Sequence, residues 1–373
     1  MNSILLVATE YAPFAGGIGR YGSELVHAAG KLGWDVRVVA PTHGIAVSDA
    51  QVTRFNTPQN FEPFAMFRAI RAVRSSFKAQ KASVIHATDY RALVISRIAL
   101  PLTNPSRFVV TCHGTDVKGA GALKNLLQRI FFRGCRLIAN SAYTASLVRS
   151  RLGRDVDMVT PLGVRPEEFH TDQSKAECKE ALDLNPNEPV ILCVARFERR
   201  KAQDVVVDAM AMLPLNVAAQ VQLVFVGPGN DAYFQRVSTS AANSRVRIKF
   251  MGKVSDEALA TAYGAADVFC LLGREDPRRV EGFGLVYLEA ASRAIPVVAA
   301  RVDAIPAVVL DGITGILVEP DNPTETADAL TLLLTDNDQR QQMGLNALSW
   351  ANRCTWEKTA QLTYGRRRLQ DQD

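Results

Sequence analysis

Short apolar runs alternate with amphipathic stretches along the whole chain. Ile4–Thr9 (ILLVAT) reads as a buried strand, Gly22–Leu32 as a helix and Val36–Ala40 (VRVVA) as the next strand. Val84–Ala87, Phe108–Cys112 and Leu137–Asn140 continue the series, each followed by helical or loop sequence. The series restarts at Pro189–Val194 (PVILCV) and runs on through Gln222–Gly227, Val246–Met251, Val268–Leu272 and Pro296–Ala299. This rhythm predicts an α/β chain of two Rossmann-like domains, each a parallel sheet wrapped by helices. Between the two series lies a polar segment rich in Glu, Asp, Lys and Asn, Pro166–Pro186. The expected division is therefore a first domain over 1–168, a linker over 169–185 and a second domain over 186–354. The last segment, 355–373, reads as a basic helix (Arg366, Arg367, Arg368) that packs back on the first domain.

Length and composition agree with this division. The chain has 373 residues, 47% of them hydrophobic and 22% charged, enough for two globular cores. Its six cysteines are scattered, with no CxxC pair and no cluster with histidine. That usage suits a reducing cytosol and argues against a disulfide scaffold or a zinc site. Met1–Glu10 has no basic segment ahead of its apolar run, so it reads as a strand rather than a signal peptide. No stretch reaches the roughly 18 apolar residues of a membrane span. A cytoplasmic protein is expected.

Charge changes the picture. Residues 1–165 hold 21 Lys and Arg against 9 Asp and Glu, whereas the remainder holds 22 against 29. Either the basic half meets an anionic partner or surface, or the two halves attract each other.

Gly17-Ile18-Gly19-Arg20-Tyr21-Gly22 has the spacing GxGxxG, which alone suggests a dinucleotide. The glycines, however, lie well past the first strand, behind the loop Glu10–Ala15. The second strand runs into Ala40-Pro41-Thr42, with no acidic residue for a ribose hydroxyl. The remaining expectation is local. Gly16 and Gly17 can take positive φ and bring amides to an anion at the start of a helix. A plain turn is the alternative.

The second half carries more pointed residues. Arg196 and Lys201 follow the strand PVILCV directly, and the carboxyl end of such a strand is where α/β domains bind ligands. Together they can converge on a diphosphate, unless the run with Arg199 and Arg200 is merely a solvated basic loop. In Val280-Glu281-Gly282-Phe283-Gly284-Leu285-Val286-Tyr287-Leu288-Glu289, the glycines open the backbone to a ligand and a helix starts near Leu285. Glu289 lies a little over one turn into that helix among apolar neighbours, so it is expected to be partly buried with a partner.

The spacing Glu281-x7-Glu289, with Arg196-x4-Lys201 upstream and Gly16-Gly17 near the N-terminus, resembles the retaining GT-B glycosyltransferases of family 4 (group 1), which include sucrose synthase and bacterial phosphatidylinositol mannosyltransferases. The resemblance spans nearly the whole chain. It includes Val84-Ile-His-Ala-Thr-Asp89, Cys112-His-Gly-Thr115, Asn140-Ser141, Pro161-Leu-Gly-Val164, Val226-Gly-Pro-Gly229 and Gly312-Ile-Thr-Gly315.

What the resemblance implies is a fold of two Rossmann-like domains facing across a cleft and a nucleotide-diphosphate sugar as donor. Glu289 would bind the donor's ribose and Glu281 the hydroxyls of the transferred hexose. Gly282, Phe283, Gly284 and Leu285 would contribute backbone amides. Arg196 and Lys201 would neutralise the diphosphate, with Gly16 and Gly17 adding amides from the other domain. Gly227 and Val254 would also line the donor, Val254 beside the base. His113, closing a first-domain strand, would contact the donor sugar or support the transition state, although a lone histidine is more often structural. No carboxylate stands out as a nucleophile, which suits a front-side retaining route. The Asp155-Val-Asp157 run reads as chance, so no metal and no other cofactor is expected.

Gly273–Val280 is longer and more charged than the family's usual approach to the first glutamate. It resembles the form in mannosyltransferases acting on lipids and points to GDP-mannose. The acceptor would be a glycan or a lipid-linked acceptor in cell-envelope or exopolysaccharide synthesis; no nucleic acid partner is expected. Two helices, Phe64–Lys81 and Leu123–Arg136, combine apolar and basic residues. Either their apolar stripes face the core, or they dock an anionic membrane surface, on the inner face of the cytoplasmic membrane. The rival functions are a nucleotide-sugar epimerase or hydrolase on the same fold and a non-catalytic nucleotide-sugar-binding protein.

Overall fold

The computed structural model describes residues 3–12, 16–42, 51–56, 63–118 and 122–365. The basic run Arg366–Arg368 lies outside them. The chain forms two compact units: residues 1–162 with 356–373, and residues 163–355.

The first unit is built on seven strands: β1 (Ser3–Val7), β2 (Asp35–Pro41), β3 (Val52–Phe55), β4 (Val84–Ala87), β5 (Phe108–Cys112), β6 (Arg136–Ala139) and β7 (Met158–Val159). They pair in parallel in the order β3-β2-β1-β4-β5-β6-β7. The second unit has six: β8 (Val190–Val194), β9 (Gln222–Val226), β10 (Arg247–Phe250), β11 (Val268–Leu271), β12 (Val297–Ala300) and β13 (Gly315–Val318). These are also parallel, in the order β10-β9-β8-β11-β12-β13. Strands β1, β5, β9, β11 and β12 are buried at every position, because helices cover both faces of each sheet. In each sheet the order reverses once, between β1 and β4 and between β8 and β11. At such a switch point the loops that leave neighbouring strands run to opposite faces of the sheet, which is where α/β sheets bind ligands.

Residues 169–185 are not a linker. Ser174 and Glu177 form a reciprocal capping box that starts a helix, Lys175–Ala181, within the second unit. Cys178 on that helix is fully buried, and Lys179 pairs with Asp267 at 3.0 Å. Polar composition here reflects caps and ion pairs. The helix Trp356–Tyr364 belongs to the first unit, packed on the helix Gly17–Lys31. Buried Tyr364 Oη lies 2.6 Å from His86 Nδ1, and Arg136 donates to the Thr363 carbonyl at 2.9 Å.

The two amphipathic helices differ. In Pro63–Gln80 the apolar stripe faces the core, with Ala69 and Val73 buried and Ile70 and Phe77 packed against them. In Ala122–Phe132 the first turns of the stripe face solvent, Leu123, Leu126, Leu127 and Ile130 being 70%, 55%, 40% and 53% exposed, while Phe132 at the helix end is buried in the core. Gln128 also turns inward, its side-chain amide donating to the Asp116 carbonyl at 2.8 Å.

Candidate active site

The carboxyl end of β8 leads into a short 3-10 turn, Arg199–Lys201, and then into the helix Gln203–Met212. From the neighbouring strand β11, the chain runs through Gly273–Val280 to Glu281. The two loops meet. Lys201 Nζ pairs with the Glu281 carboxylate, and Arg200 Nη1 donates to the same Oε2 at 3.2 Å. The three side chains are 13% (Lys201), 16% (Arg200) and 19% (Glu281) exposed. Burial alone would raise the Glu281 pKa, but the two cations outweigh it and hold the carboxyl below its ordinary value. The Glu281 N–H donates to Asp303 Oδ2 at 2.9 Å, which fixes the backbone at this point.

The pairing of cations differs from the expectation. Arg196 and Lys201 hold different carboxylates: Arg196 is 64% exposed and reaches Glu198 at 3.2 Å, whereas Lys201 pairs with Glu281. Arg200, which the sequence left as part of a solvated loop, is the second inward cation, shared between Glu281 and Glu198 Oε2 at 2.8 Å. Glu198 also takes Arg279 at 3.2 Å. Burial opposes ionisation of Glu198, yet its three arginines hold its pKa low.

After Glu281 the chain behaves as a tight cradle. Gly282, Phe283 and Gly284 are buried, and Gly284 has φ +85. A Cβ there would come within 2.5 Å of the Tyr287 ring, so only glycine fits. The helix Leu285–Ser292 begins immediately, with the positive end of its dipole at Leu285. Glu289 is buried, 5% exposed, and accepts from Tyr263 Oη at 2.8 Å. Tyr263 was not singled out from sequence; its place on the helix Asp256–Ala265 gave no signal.

Beside this cluster a cavity of about 530 Å³ is lined by Arg196, Phe197, Glu198, Gly229, Gly252 and Lys253, among others. Its floor rests on an aromatic cluster in which Phe197, Phe225, Phe234 and Phe250 pack at 4.9–5.8 Å between ring centroids. Gly227 has φ +139 and lies so close to the end of β8 that a Cβ would meet the Ala195 carbonyl at 2.0 Å. Val254 follows Lys253 as a half-buried residue.

Gly16, Gly17 and His113 belong to the first unit. The positive φ expected of the glycines is not found: Gly16 is extended (φ −141, ψ 154), and Gly17 is the first residue of the helix Gly17–Lys31. The helix starts five residues earlier than the pattern predicts, because Gly16 caps it without a side-chain signal. Buried Tyr21 on this helix sets its ring edge-on to His113, 4.8 Å between centroids. His113 Nε2 donates to the Thr88 carbonyl at 3.0 Å and Nδ1 accepts from Asn140 at 3.4 Å. Both ring nitrogens are thus engaged as those of a neutral imidazole. Burial lowers the His113 pKa to about 4, against the opposite pull of Asp89 and the Thr88 carbonyl. Asp116 accepts from the His113 N–H at 2.9 Å, and burial with the nearby Asp89 charge raises its pKa to about 7. The Asp155-x-Asp157 pair is structural: Asp155 reaches Arg149 at 3.5 Å and Asp157 accepts from the Leu137 N–H at 2.8 Å. Among the described residues no group of three or more His, Cys, Asp or Glu could hold a metal ion.

Residues 15–168 match the family described as "Glycosyltransferase Family 4", and residues 174–350 match "Glycosyl transferases group 1". The chain is 31% identical over 274 residues to a GDP-mannose-dependent alpha-(1-6)-phosphatidylinositol monomannoside mannosyltransferase of Mycolicibacterium smegmatis, covering 70% of this chain and 71% of that one. The protein of the same description from Mycobacterium tuberculosis is 27% identical over 375 residues, 94% of each chain. A D-inositol 3-phosphate glycosyltransferase of Nocardia farcinica is 32% identical over 242 residues, which are 63% of this chain and about half (52%) of the relative's length. Among solved structures, a sucrose-phosphate synthase from Thermosynechococcus elongatus superimposes with a TM-score of 0.80 at 22% identity, over 96% of both chains. The chain belongs to the group 1, family 4 glycosyltransferases, with the α/β fold of the GT-B class.

Proposed function

We propose that this glycosyltransferase moves mannose from GDP-mannose to a lipid-linked or glycan acceptor, with retention at the anomeric carbon and without a metal ion. The observation that carries the reading is the cluster of Lys201, Arg200 and Glu281 at the β8 and β11 strand ends, beside the 530 Å³ cavity. A donor sugar would bring a diphosphate to the cations and hydroxyls to Glu281, while buried Glu289 would take the ribose. As the glycosidic phosphate bond breaks, charge accumulates on the leaving diphosphate. Preorganised cations and the helix end at Leu285 would stabilise that charge. Glu281 is held between two cations, which supports a hydroxyl-binding role over a nucleophilic one. In a front-side route the leaving phosphate accepts the acceptor's proton. Mannose is favoured by the mannosyltransferases that match over most of this chain.

Thermal-shift titration with GDP-mannose, UDP-glucose, UDP-N-acetylglucosamine and UDP-galactose tests the donor, because a ligand of the native state raises stability by mass action. Turnover with the preferred donor in excess chelator, followed by anomeric coupling of the product, tests the rest. Stabilisation by a UDP-sugar alone would refute GDP-mannose. Metal-dependent turnover, an inverted product or a trapped glycosyl-enzyme would refute the route.

The acceptor side of the proposal includes an anionic lipid surface. Among the described residues no helix is long and apolar enough to cross a membrane. Residues 63–154 hold 16 Lys and Arg and only two acidic residues, Asp89 and Asp116. The exposed stripe of Leu123, Leu126, Leu127 and Ile130 lies within this basic stretch, an arrangement suited to lying in a lipid interface. Basic residues near such a surface contribute about 1 kcal/mol each. Flotation with anionic but not with zwitterionic vesicles is the expected result, lost in Leu126→Glu/Ile130→Glu. Binding indifferent to lipid charge and salt would refute the surface.

A further inference from the structure

We propose that Arg274 is a positioning residue, clamping the turn that carries Arg200 and Lys201 so that both cations face the donor's diphosphate. This rests on the donor reading above and adds to it a residue outside the cavity. The turn has a difficult conformation. Ala202, fully buried at the junction between Arg199–Lys201 and the helix Gln203–Met212, sits in the left-handed region with φ +53. Such a conformation persists in a residue with a Cβ only where the surroundings over-determine it.

Arg274 supplies that determination from both sides of Ala202. Its backbone N–H donates to the Arg200 carbonyl at 2.9 Å, and its Nη1 donates to the Arg199 carbonyl at 2.9 Å. Beyond Ala202, Nη1 and Nη2 grip the two oxygens of Asp204 at 3.2 and 3.3 Å. Nε donates to the Asp321 carboxylate, and the side chain is 16% exposed. Asp204 is itself fixed by Tyr233, whose hydroxyl meets Oδ1 at 2.9 Å. The planar guanidinium serves two carboxylates and a carbonyl at once, which an ammonium cannot reproduce. Gly273 fixes the point from which Arg274 departs, since a Cβ there would lie 2.8 Å from Ile305 Cδ1. The Nε–H, both Nη1–H groups and one Nη2–H are spent on the protein. Arg274 therefore acts through Arg200 and Lys201 and not on the ligand.

The test compares wild type with Arg274→Met, Arg274→Lys and Asp204→Asn, titrating GDP and GMP by calorimetry and measuring turnover of GDP-mannose. A clamp on the diphosphate-facing cations predicts that the preference for GDP over GMP falls about tenfold, the loss of one charge-assisted contact, while GMP binding changes less than about twofold. kcat falls further than KM rises, because the leaving diphosphate carries more charge in the transition state. Arg274→Lys and Asp204→Asn keep the bulk of the turn and give the same shift at smaller size, even where Arg274→Met does not fold. Variants with lowered melting temperature but an unchanged GDP-to-GMP ratio and kcat would overturn the clamp alone. Failure of the wild type to bind any nucleoside diphosphate would overturn the donor reading and the clamp with it.

Discussion

Glu281→Gln separates the two partners that this carboxylate is proposed to serve. Glutamine keeps the shape and removes the charge, leaving Lys201 and Arg200 nearly buried without their shared counter-ion. Breaking a buried pair from one side costs about 3–5 kcal/mol. Arg200 still has Glu198 at 2.8 Å, so the uncompensated charge is mainly that of Lys201. The expected loss is therefore smaller, about 2–3 kcal/mol. For a domain of this size it lowers the melting temperature by about 5–10 °C. Added GDP supplies the missing negative charge without having to displace a carboxylate. The variant is then expected to bind GDP about tenfold more tightly than wild type and to show a larger thermal shift with it. Transfer from GDP-mannose nevertheless falls, since the group proposed to hold the hexose is gone. Differential scanning fluorimetry with and without GDP, with calorimetric titration, reads both effects. A melting temperature within about 1 °C of wild type, or weaker GDP binding, would refute the reasoning.

Three further substitutions probe other parts of the molecule. Tyr263→Phe removes the hydroxyl that donates to buried Glu289 at 2.8 Å, while the ring keeps its packing on Phe169 and Phe269. A loss of about 1 kcal/mol in urea unfolding is expected, the usual net contribution of a hydrogen bond, and an unchanged midpoint would rule the contact out. Gly284→Ala forces a Cβ against the Tyr287 ring at φ +85, whereas a Cβ at Gly17 meets nothing within 4 Å. The first variant should lose at least about 2 kcal/mol and the second stay within about 1 kcal/mol of wild type in the same assay. Asp116→Asn addresses pH. With its folded pKa raised to about 7, Asp116 contributes stability below its unfolded value that is lost as pH rises through 7. His86 and His113, lowered to about 3 and 4, do the opposite: their contribution is lost as pH falls below about 6.5. Removing Asp116 should therefore steepen the rise of stability between about pH 4 and 6.5, read from urea midpoints; an unaltered profile would refute the raised Asp116 pKa.

Both sheets were legible because their central strands are continuous apolar runs such as ILLVAT and PVILCV. β3, β7 and β13 escaped the pattern: β3 carries Thr53 and Arg54, β7 has two residues, and β13 follows a glycine motif that reads as a loop. The meeting of Lys201 with Glu281, 80 positions apart, follows from topology, since β8 and β11 are neighbours and both loops leave their carboxyl ends. Which of four basic residues turns inward was not legible. That depends on the 3-10 turn and on the positive φ of Ala202, and alanine gives no hint of a left-handed conformation. The exposed leucines of Ala122–Phe132 show the same limit. Periodicity marks a stripe, but here the buried side belongs to Gln128, which donates to the Asp116 carbonyl, and to Phe132 at the helix end.

The cations of the site are already committed to carboxylates of the protein. Lys201 and Arg200 hold Glu281, and Arg196, Arg200 and Arg279 surround Glu198. On the proposed function, donor binding is therefore an exchange of partners rather than the filling of a bare positive pocket. The diphosphate takes the cations only if Glu281 is offered something in return, and the hexose hydroxyls are that substitute. A nucleoside diphosphate alone competes with Glu281 for Lys201 and leaves a nearly buried carboxylate uncompensated, which costs free energy. The intact donor satisfies both sides, whereas after transfer the spent diphosphate does not. Glu281 then draws Lys201 back. Binding energy is thus weighted toward the state in which sugar and diphosphate are both present and away from the product, so tight recognition of the donor does not become a trap for what the reaction leaves behind.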